Sequence, residues 1–270
     1  MKLGVLIGEE RNLSEALDIV KIAETRGYDS VWFGEHVGVR DALVLMGMAS
    51  VITSRIKIGS CAINAYTRNV GTVVAAVNTI SWAAPGRVML GIANGEEVLS
   101  NFGIRQELPL RKMKEFITAL RLLLTGEQIH FVGSHVNLHN ARAERQLDIP
   151  LFIAATGMKM LSLGAKLADG VILNFLTNMN YLEKAHSILG NKQTFQLIAV
   201  SINRDGGDRD ARWLISKFLF LAPDFFKSIG IGEDTVEKVR SIIKAWPPKR
   251  EELELAEREI PDKVMNQLVA

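Results

Sequence analysis

The sequence predicts an α/β protein of the (β/α)8 TIM-barrel type, lacking the last strand–helix unit and carrying a small hairpin insertion after the fourth helix. Three observations lead there. Short apolar runs alternate with longer stretches of helical period through most of the chain, the pattern of parallel strands joined by helical crossovers. The strands are apolar on both faces, as "VMLGIA" and "LFIAA" show, so helices cover both sides of the sheet or a core fills one. No Gly-x-Gly-x-x-Gly follows the first strand and no Walker lysine pattern occurs, which weighs against a nucleotide-binding open sheet, the other architecture with this alternation. With 270 residues, 48% of them hydrophobic, the chain has the length and core material for a single barrel domain over 1–270.

"KLGVLIG" reads as the first strand. In the next stretch, "NLSEALDIVKIAETRG", Asn12 is placed to cap a helix with Glu15 three residues on. Leu13, Leu17, Val20 and Ala23 make one face, and Gly27 stands where a helix ends. "SVWFGEH" and "DALVLMGMASVITS" give the second strand and helix. The third strand, "IKIGSCAIN", is unusual: Gly59, Ser60, Cys61 and Ala62 are all small, so either the backbone bends there or something large presses on it. "NVGTVVAAVNTISWAA" is the third helix, closed by Pro85-Gly86, and "RVMLGIAN" the fourth strand. Pro109 opens a long helix ending near Gly126. Residues 127–149 break the rhythm with two strand-like pieces around Gly133, a hairpin insertion. Then follow "PLFIAAT", "MKMLSLGAKLA", "DGVILNF", "YLEKAHSILG" and "FQLIAVSIN", after which the chain is helical or looped. The count is seven strands where a closed barrel has eight.

The formal net charge is only +2, from 32 basic and 30 acidic residues, which gives no electrostatic footprint for nucleic acid or an anionic membrane. The single cysteine, Cys61, excludes an internal disulfide framework and points to a reducing cytoplasm. The N-terminal apolar run is too short for a signal peptide, and no run approaches the roughly 18 residues of a membrane-spanning helix.

In a parallel barrel the site lies at the carboxyl ends of the strands. Polar and small residues gather there: Glu9-Glu10, Glu35-His36, Cys61 to Asn64, Asn94-Gly95-Glu96, Thr156-Gly157, Asn174 and Ser201 to Asn203. A histidine at such a place can give or take a proton near neutral pH, although an isolated Glu-His is more often a surface ion pair. Gly157 opens a helix directly after a buried strand, where free N–H groups hold phosphate, but glycine also stands there simply to make the turn. Cys61 has no activating base beside it in sequence and reads as a small buried hydrophobe. His130, His135 and His139 fall within the insertion without a third and fourth metal ligand of the usual kind, so no metal site is expected. The charged run from Lys249 to Arg258 reads as a solvated helix face.

Four segments resemble one family, the luciferase-like monooxygenase superfamily of flavin and deazaflavin oxidoreductases, in particular the enzymes similar to methylenetetrahydromethanopterin reductase that use coenzyme F420. They are "GYDSVWFGEH", "IKIGSCAINAYTRN", "SWAAPGRVMLGIANGE" and "IPLFIAATGMKMLSLGAKLADGVILN", and the resemblance runs from Met1 to about Asn174. It implies a non-proline cis peptide and a bulge in the third strand, at Ser60–Cys61 or, preferred, Cys61–Ala62. There the small side chains would yield their volume to a cofactor ring resting on the backbone. It implies Glu35 and His36 as the acidic-His pair beside the ring's reactive edge. Ser60, Cys61, Ala62 and Asn64 would form the bulge and its polar rim, with Asn94, Gly95 and Glu96 the fourth-strand loop. Thr156, Gly157 and Met158 would approach the cofactor's phosphate tail. The activity implied is hydride transfer between F420 and a small organic substrate, in a homodimer. Two readings stand beside it: an FMN-dependent monooxygenase, and a cofactor-binding, non-catalytic paralogue with a shortened barrel. Glu35 stands where deazaflavin enzymes usually have aspartate, and Leu6 where the pterin reductases have glutamate.

Overall fold

Four short strands and three helices alternate at the start of the chain: β1 (Gly4–Ile7), α1 (Leu13–Thr25), β2 (Ser30–Phe33), α2 (Ala42–Ile52), β3 (Lys57–Asn64), α3 (Val70–Ala83) and β4 (Val88–Ala93). A 3-10 turn (Glu97–Phe102) leads to α4 (Pro109–Leu124) and the antiparallel hairpin β5 (Ile129–Val132) and β6 (Asn137–Ala141). The alternation resumes with β7 (Leu151–Ala154), α5 (Met158–Leu167), β8 (Gly170–Leu173), α6 (Met179–Leu189) and β9 (Gln193–Gln196). Five helices follow: α7 (Gly207–Leu221), α8 (Pro223–Ser228), α9 (Glu233–Ile242), α10 (Arg250–Ala256) and α11 (Asp262–Leu268). The structure is a computed structural model and describes residues 2–8, 12–95, 97–173, 178–200, 207–245 and 247–268. Glu9, Glu10, Glu96, Asn174 and Ser201 to Asn203 lie outside the described residues. Among those described, no helix is long and apolar enough to cross a membrane.

The seven parallel strands are ordered β1-β2-β3-β4-β7-β8-β9. Their side chains alternate between two apolar environments, as period-two geometry requires. Val31, Phe33, Leu90, Ile92, Leu151 and Ile153 face the helices, while Trp32, Met89, Phe152 and Ile172 pack together on the other face. The Trp32 ring lies 4.7 Å from that of Phe195. Those residues belong to β2 and β9, five steps apart in the sheet order, so the sheet curls round its own interior cluster as a barrel does. Among the described residues β1 and β9, the two ends of the order, do not pair.

Local chemistry accounts for the elements. Asn12 and Glu15 form the expected capping box on α1. Asp41 and Asn69 cap α2 and α3. At the amino end of the barrel the buried Arg87 donates to the carbonyls of Ser50, Thr53, Ile56 and Ala83 at 3.1–3.3 Å and to Thr53 Oγ1 at 2.9 Å. It thereby fixes the turn into β3 against the start of β4. The C-terminal helices pack with α5, α6 and β8 in a second apolar cluster containing Leu219, Val236, Val239 and Ala256. The last strand differs from its expected span: β9 is "QTFQ", and 197–200 are not strand. β9 ends level with its partner, Gln196 opposite Leu173 of β8, after which the Leu197 N–H still donates to Leu173 O at 3.1 Å.

The small residues of β3 have two separate causes. A Cβ at Gly59 would overlap the Trp32 indole, so there the missing volume belongs to the barrel's own core. This corrects, for Gly59, the expectation that the space is given up to a ligand. Beyond it the register slips: Ser60 stands opposite Leu90 but Ile63 opposite Ile92. One extra residue is accommodated on β3, a β-bulge, and the peptide bond Cys61–Ala62 within it is cis.

Candidate active site

Four strand ends converge at the carboxyl face of the sheet. From β2 come Glu35 and His36. The chain after them closes a tight turn in which the His36 N–H donates to Arg40 O at 3.1 Å and the Arg40 N–H returns to His36 O at 3.0 Å. Gly38 allows this turn with φ 77°, and its open side is filled by the Phe102 ring. Arg40 also donates to Gly8 O at 3.3 Å, tying the turn to the end of β1. The His36 Nε2 and the Cys61 carbonyl both lie within 4 Å of the point where a Gly34 side chain would begin. The imidazole therefore borders the bulge that carries the cis bond.

Glu35 is only 5% exposed and its carboxylate is fully engaged. It accepts from the Asn64 N–H at 3.2 Å, from Arg68 Nε at 3.3 Å and from Arg68 Nη2. Arg68 also pairs with Asp41 at 2.7 Å, and Asp41 in turn caps α2 through the N–H groups of Leu43 and Val44. Burial opposes the charge of Arg68, but hydrogen bonds and attraction from Glu35 and Asp41 outweigh it and raise its pKa. Glu35 thus joins β2 to the end of β3. This pair escaped the sequence reading, since Arg68 stands 33 positions away. The available signal was that a carboxylate at a buried strand end needs a cation.

The rest of the bulge is built in the same detail. Ser60 is buried, and its hydroxyl donates to Gly91 O at 2.9 Å while accepting from the Gly91 N–H at 3.1 Å. It clamps β3 to β4. The Cys61 thiol packs against the interior cluster, and burial pushes its pKa up to about 12, so it is a neutral hydrophobe there. Cys61 and Ala62 are half-buried. Asn64 is buried, and its Oδ1 accepts from the Tyr66 N–H at 2.7 Å. Its Nδ2 occupies the place a Gly95 side chain would take, and Gly95 has φ 87°. Glycine is thus required at 95 on both counts.

Asn94 is held by donation from Nδ2 to Pro109 O at 3.1 Å, yet its Oδ1 is buried without a hydrogen-bond partner among the described residues. An unmet acceptor at a strand end fits a ligand that brings a donor. Just beyond β7, Thr156 O accepts from the Tyr181 hydroxyl of α6 at 3.0 Å. Gly157 is the N-cap of α5 without a side-chain cap, and nothing lies within 4 Å of where its side chain would be. The start of α5, with Met158 its first residue, is open to an approaching anion. The described residues therefore bring Glu35, His36, Ser60 to Ala62, Asn64, Asn94 and Gly95 together on adjacent strands. Thr156 to Met158 follow the end of β7 and open α5, two strands from β3 and so roughly 10 Å away across the sheet. In the insertion, the His130 and His139 rings lie 4.9 Å apart and tilted.

A curled parallel sheet with a bulged third strand and its polar groups at the carboxyl ends of β2, β3, β4 and β7 defines a barrel-type α/β protein. A family model described as luciferase-like monooxygenase matches residues 1–187, more than half of the chain. The protein belongs to that family. It is 34% identical over 156 residues to a 5,10-methylenetetrahydromethanopterin reductase of Methanolobus tindarius, covering 57% of this chain and 48% of that one. To the enzyme of the same name from Archaeoglobus fulgidus it is 28% identical over 258 residues, 90% of this chain and 78% of that one. The chain thus spans about half the length of the first relative and more of the second. Among solved structures, the coenzyme F420-dependent tetrahydromethanopterin reductase from Methanopyrus kandleri superposes with a TM-score of 0.81 at 19% identity, covering 99% of this chain and 85% of that one. That likeness establishes the shared fold.

Proposed function

We propose that the protein binds the deazaflavin coenzyme F420 at the mouth of the barrel and transfers hydride between it and a small organic substrate. The observation that carries this reading is the bulge of β3 between Ser60 and Ile63, bordered by His36, with the unmet acceptor of Asn94 at the end of the neighbouring strand β4, in a chain whose relatives are named as reductases. The Methanopyrus kandleri structure of the same fold is described as F420-dependent. When bound, the deazaflavin supplies the hydride chemistry, and the protein supplies orientation and electrostatics. The backbone of Ser60 to Ala62 and the side chains of Asn64 and Asn94 are the groups that would hold the ring. Gly95 adjoins Asn64 in the loop after β4, Glu96, next in sequence, is proposed with it, and the start of α5 at Thr156 to Met158 would take the phosphate.

Of the two residues expected to act on protons, His36 takes the catalytic role, holding or giving a proton at the edge of the bulge. Glu35 acts as a positioning residue, because both of its oxygens are already bonded to Arg68 and Asn64. The family description favours a second reading, an FMN-dependent monooxygenase on the same scaffold. Homodimerisation belongs to the proposal as well: Val44 and Val51 on α2 and Trp82 on α3 are 60–73% exposed and apolar.

Titration of the protein with F420 and with FMN, following quenching of cofactor fluorescence, tests the reading. The proposal predicts saturable micromolar binding of F420 and substrate-dependent bleaching of the oxidised deazaflavin by His36-containing protein but not by His36→Gln. Binding of FMN alone overturns it in favour of the monooxygenase, and binding of neither leaves a non-catalytic paralogue.

A further inference from the structure

On the outer surface, α4 and α5 run side by side and enclose a groove of about 420 Å³. Arg111 and Lys114 of α4 face Lys159 and Lys166 of α5 across it. Leu110 and Leu163 give it an apolar floor, with the Ser162 hydroxyl beside them. Its single acid, Glu115, is already spent: it accepts the N–H groups of Ser134, His135 and Val136 and the Ser134 hydroxyl at 2.7–3.2 Å. Burial pushes its pKa up, but these hydrogen bonds prevail and hold it below the usual carboxylate range. Arg121, further along α4, is by contrast paired with Asp169 at 3.0 Å. Among the described residues, none of the four groove cations has such a partner.

Such a cluster opposes local stability. Arg111 stands in the first turn of α4 and Lys159 in the first turn of α5, and neither first turn contains an acid. Cations at the positive end of a helix dipole are unfavourable, and Arg111 and Lys114 add like-charge repulsion at i, i+3. The whole chain, with 32 basic and 30 acidic residues, had acids enough to neutralise them. A local conflict left unrelieved in a cavity marks a site kept for function.

We infer that this groove is a binding site for an organic polyanion carrying two or more carboxylate or phosphate groups, adjoining the start of α5 but distinct from the ring seat at β2, β3 and β4. The cations meet the anionic groups, and the two leucines and the aliphatic stems of the lysines take the carbon skeleton. The inference does not depend on the identity of the cofactor.

Calorimetric titration of the full chain with citrate and with tripolyphosphate, in about 0.15 M salt to screen diffuse attraction, is the test. The expected result is one saturable site per chain for at least one probe. Its affinity should fall about tenfold or more in Arg111→Gln/Lys166→Gln, since each charge-assisted contact is worth roughly that factor. It should hold in the control Lys184→Gln/Lys244→Gln, which changes net charge equally. The double variant should melt no lower than the wild type, since the cluster opposes local stability, and quench deazaflavin fluorescence as the wild type does. The inference is overturned by absence of saturable binding, by equal losses in the two double variants, or by a parallel loss of deazaflavin affinity. Should the wild type bind no deazaflavin, the reading of the mouth fails while the calorimetry still decides the groove.

Discussion

Single side chains at the carboxyl face do different work from what their positions in sequence suggest. Glu35 and His36 are neighbours, yet one is tied down by Arg68 and the other borders the bulge. The pair was legible because an acid-histidine dipeptide ends an apolar strand; the division of labour was not, since it depends on Arg68 arriving from the start of α3. Removing one partner of a buried ion pair costs about 3 kcal/mol because the remaining charge is left without compensation. Arg68→Met is therefore expected to lower the unfolding free energy by about that much in urea denaturation, and Arg68→Met/Glu35→Leu to recover part of the loss. Glu24 makes a second, pH-dependent case. It accepts the N–H groups of Ser54, Arg55 and Ile56 at 2.7–3.0 Å. Burial pushes its pKa up, but those hydrogen bonds and the charge of Arg55 outweigh it and hold the value below 4.5. A depressed folded-state value gives stability that is complete above the ordinary value and lost as the pH falls through the folded one. Glu24→Gln should cost about 1 kcal/mol at neutral pH, and the gap from wild type should close in acid, below 4.5.

At the level of elements, periodicity located most strands and helices because burial on a parallel sheet leaves little choice of residue. Capping chemistry fixed the start of α1, and Pro109 that of α4. The last strand starts earlier and ends sooner than its apolar run suggests, because it stops level with the end of its partner β8, Gln196 opposite Leu173. β3 was legible as unusual, but its small residues proved to have separate causes. Gly59 makes room for Trp32, Ser60 clamps Gly91, and only the bulge beyond them faces the mouth. Which large side chain sits opposite a glycine depends on a pairing register that one strand alone does not encode. Gly59→Ala tests that division. Trp32 is enclosed by Phe152 and Phe195, so the added methyl forces the core apart, with an expected loss of about 2 kcal/mol. In thermal denaturation the variant should melt several degrees lower. An unchanged melting temperature would mean that the indole has space to retreat.

For the molecule as a whole, a nearly balanced charge and a single cysteine narrowed the class, and the alternation of elements gave the barrel. The contact that draws the curl together was not visible in sequence: Phe195 of β9 meets Trp32 of β2 across the interior. Neither was the basic groove between α4 and α5, because its four cations are spread over two helices and become neighbours only when those helices pack. We propose the mouth between β2, β3, β4 and β7 as a seat for a planar cofactor, with His36 at the ring's edge. A crystal structure of the protein with F420 measures this most directly. The deazaflavin ring is expected in van der Waals contact with the Cys61–Ala62 backbone, with a ring substituent donating to Asn94 Oδ1 and the phosphate at the start of α5. A ring bound elsewhere on the chain, with the bulge and the Asn94 acceptor untouched, would contradict it.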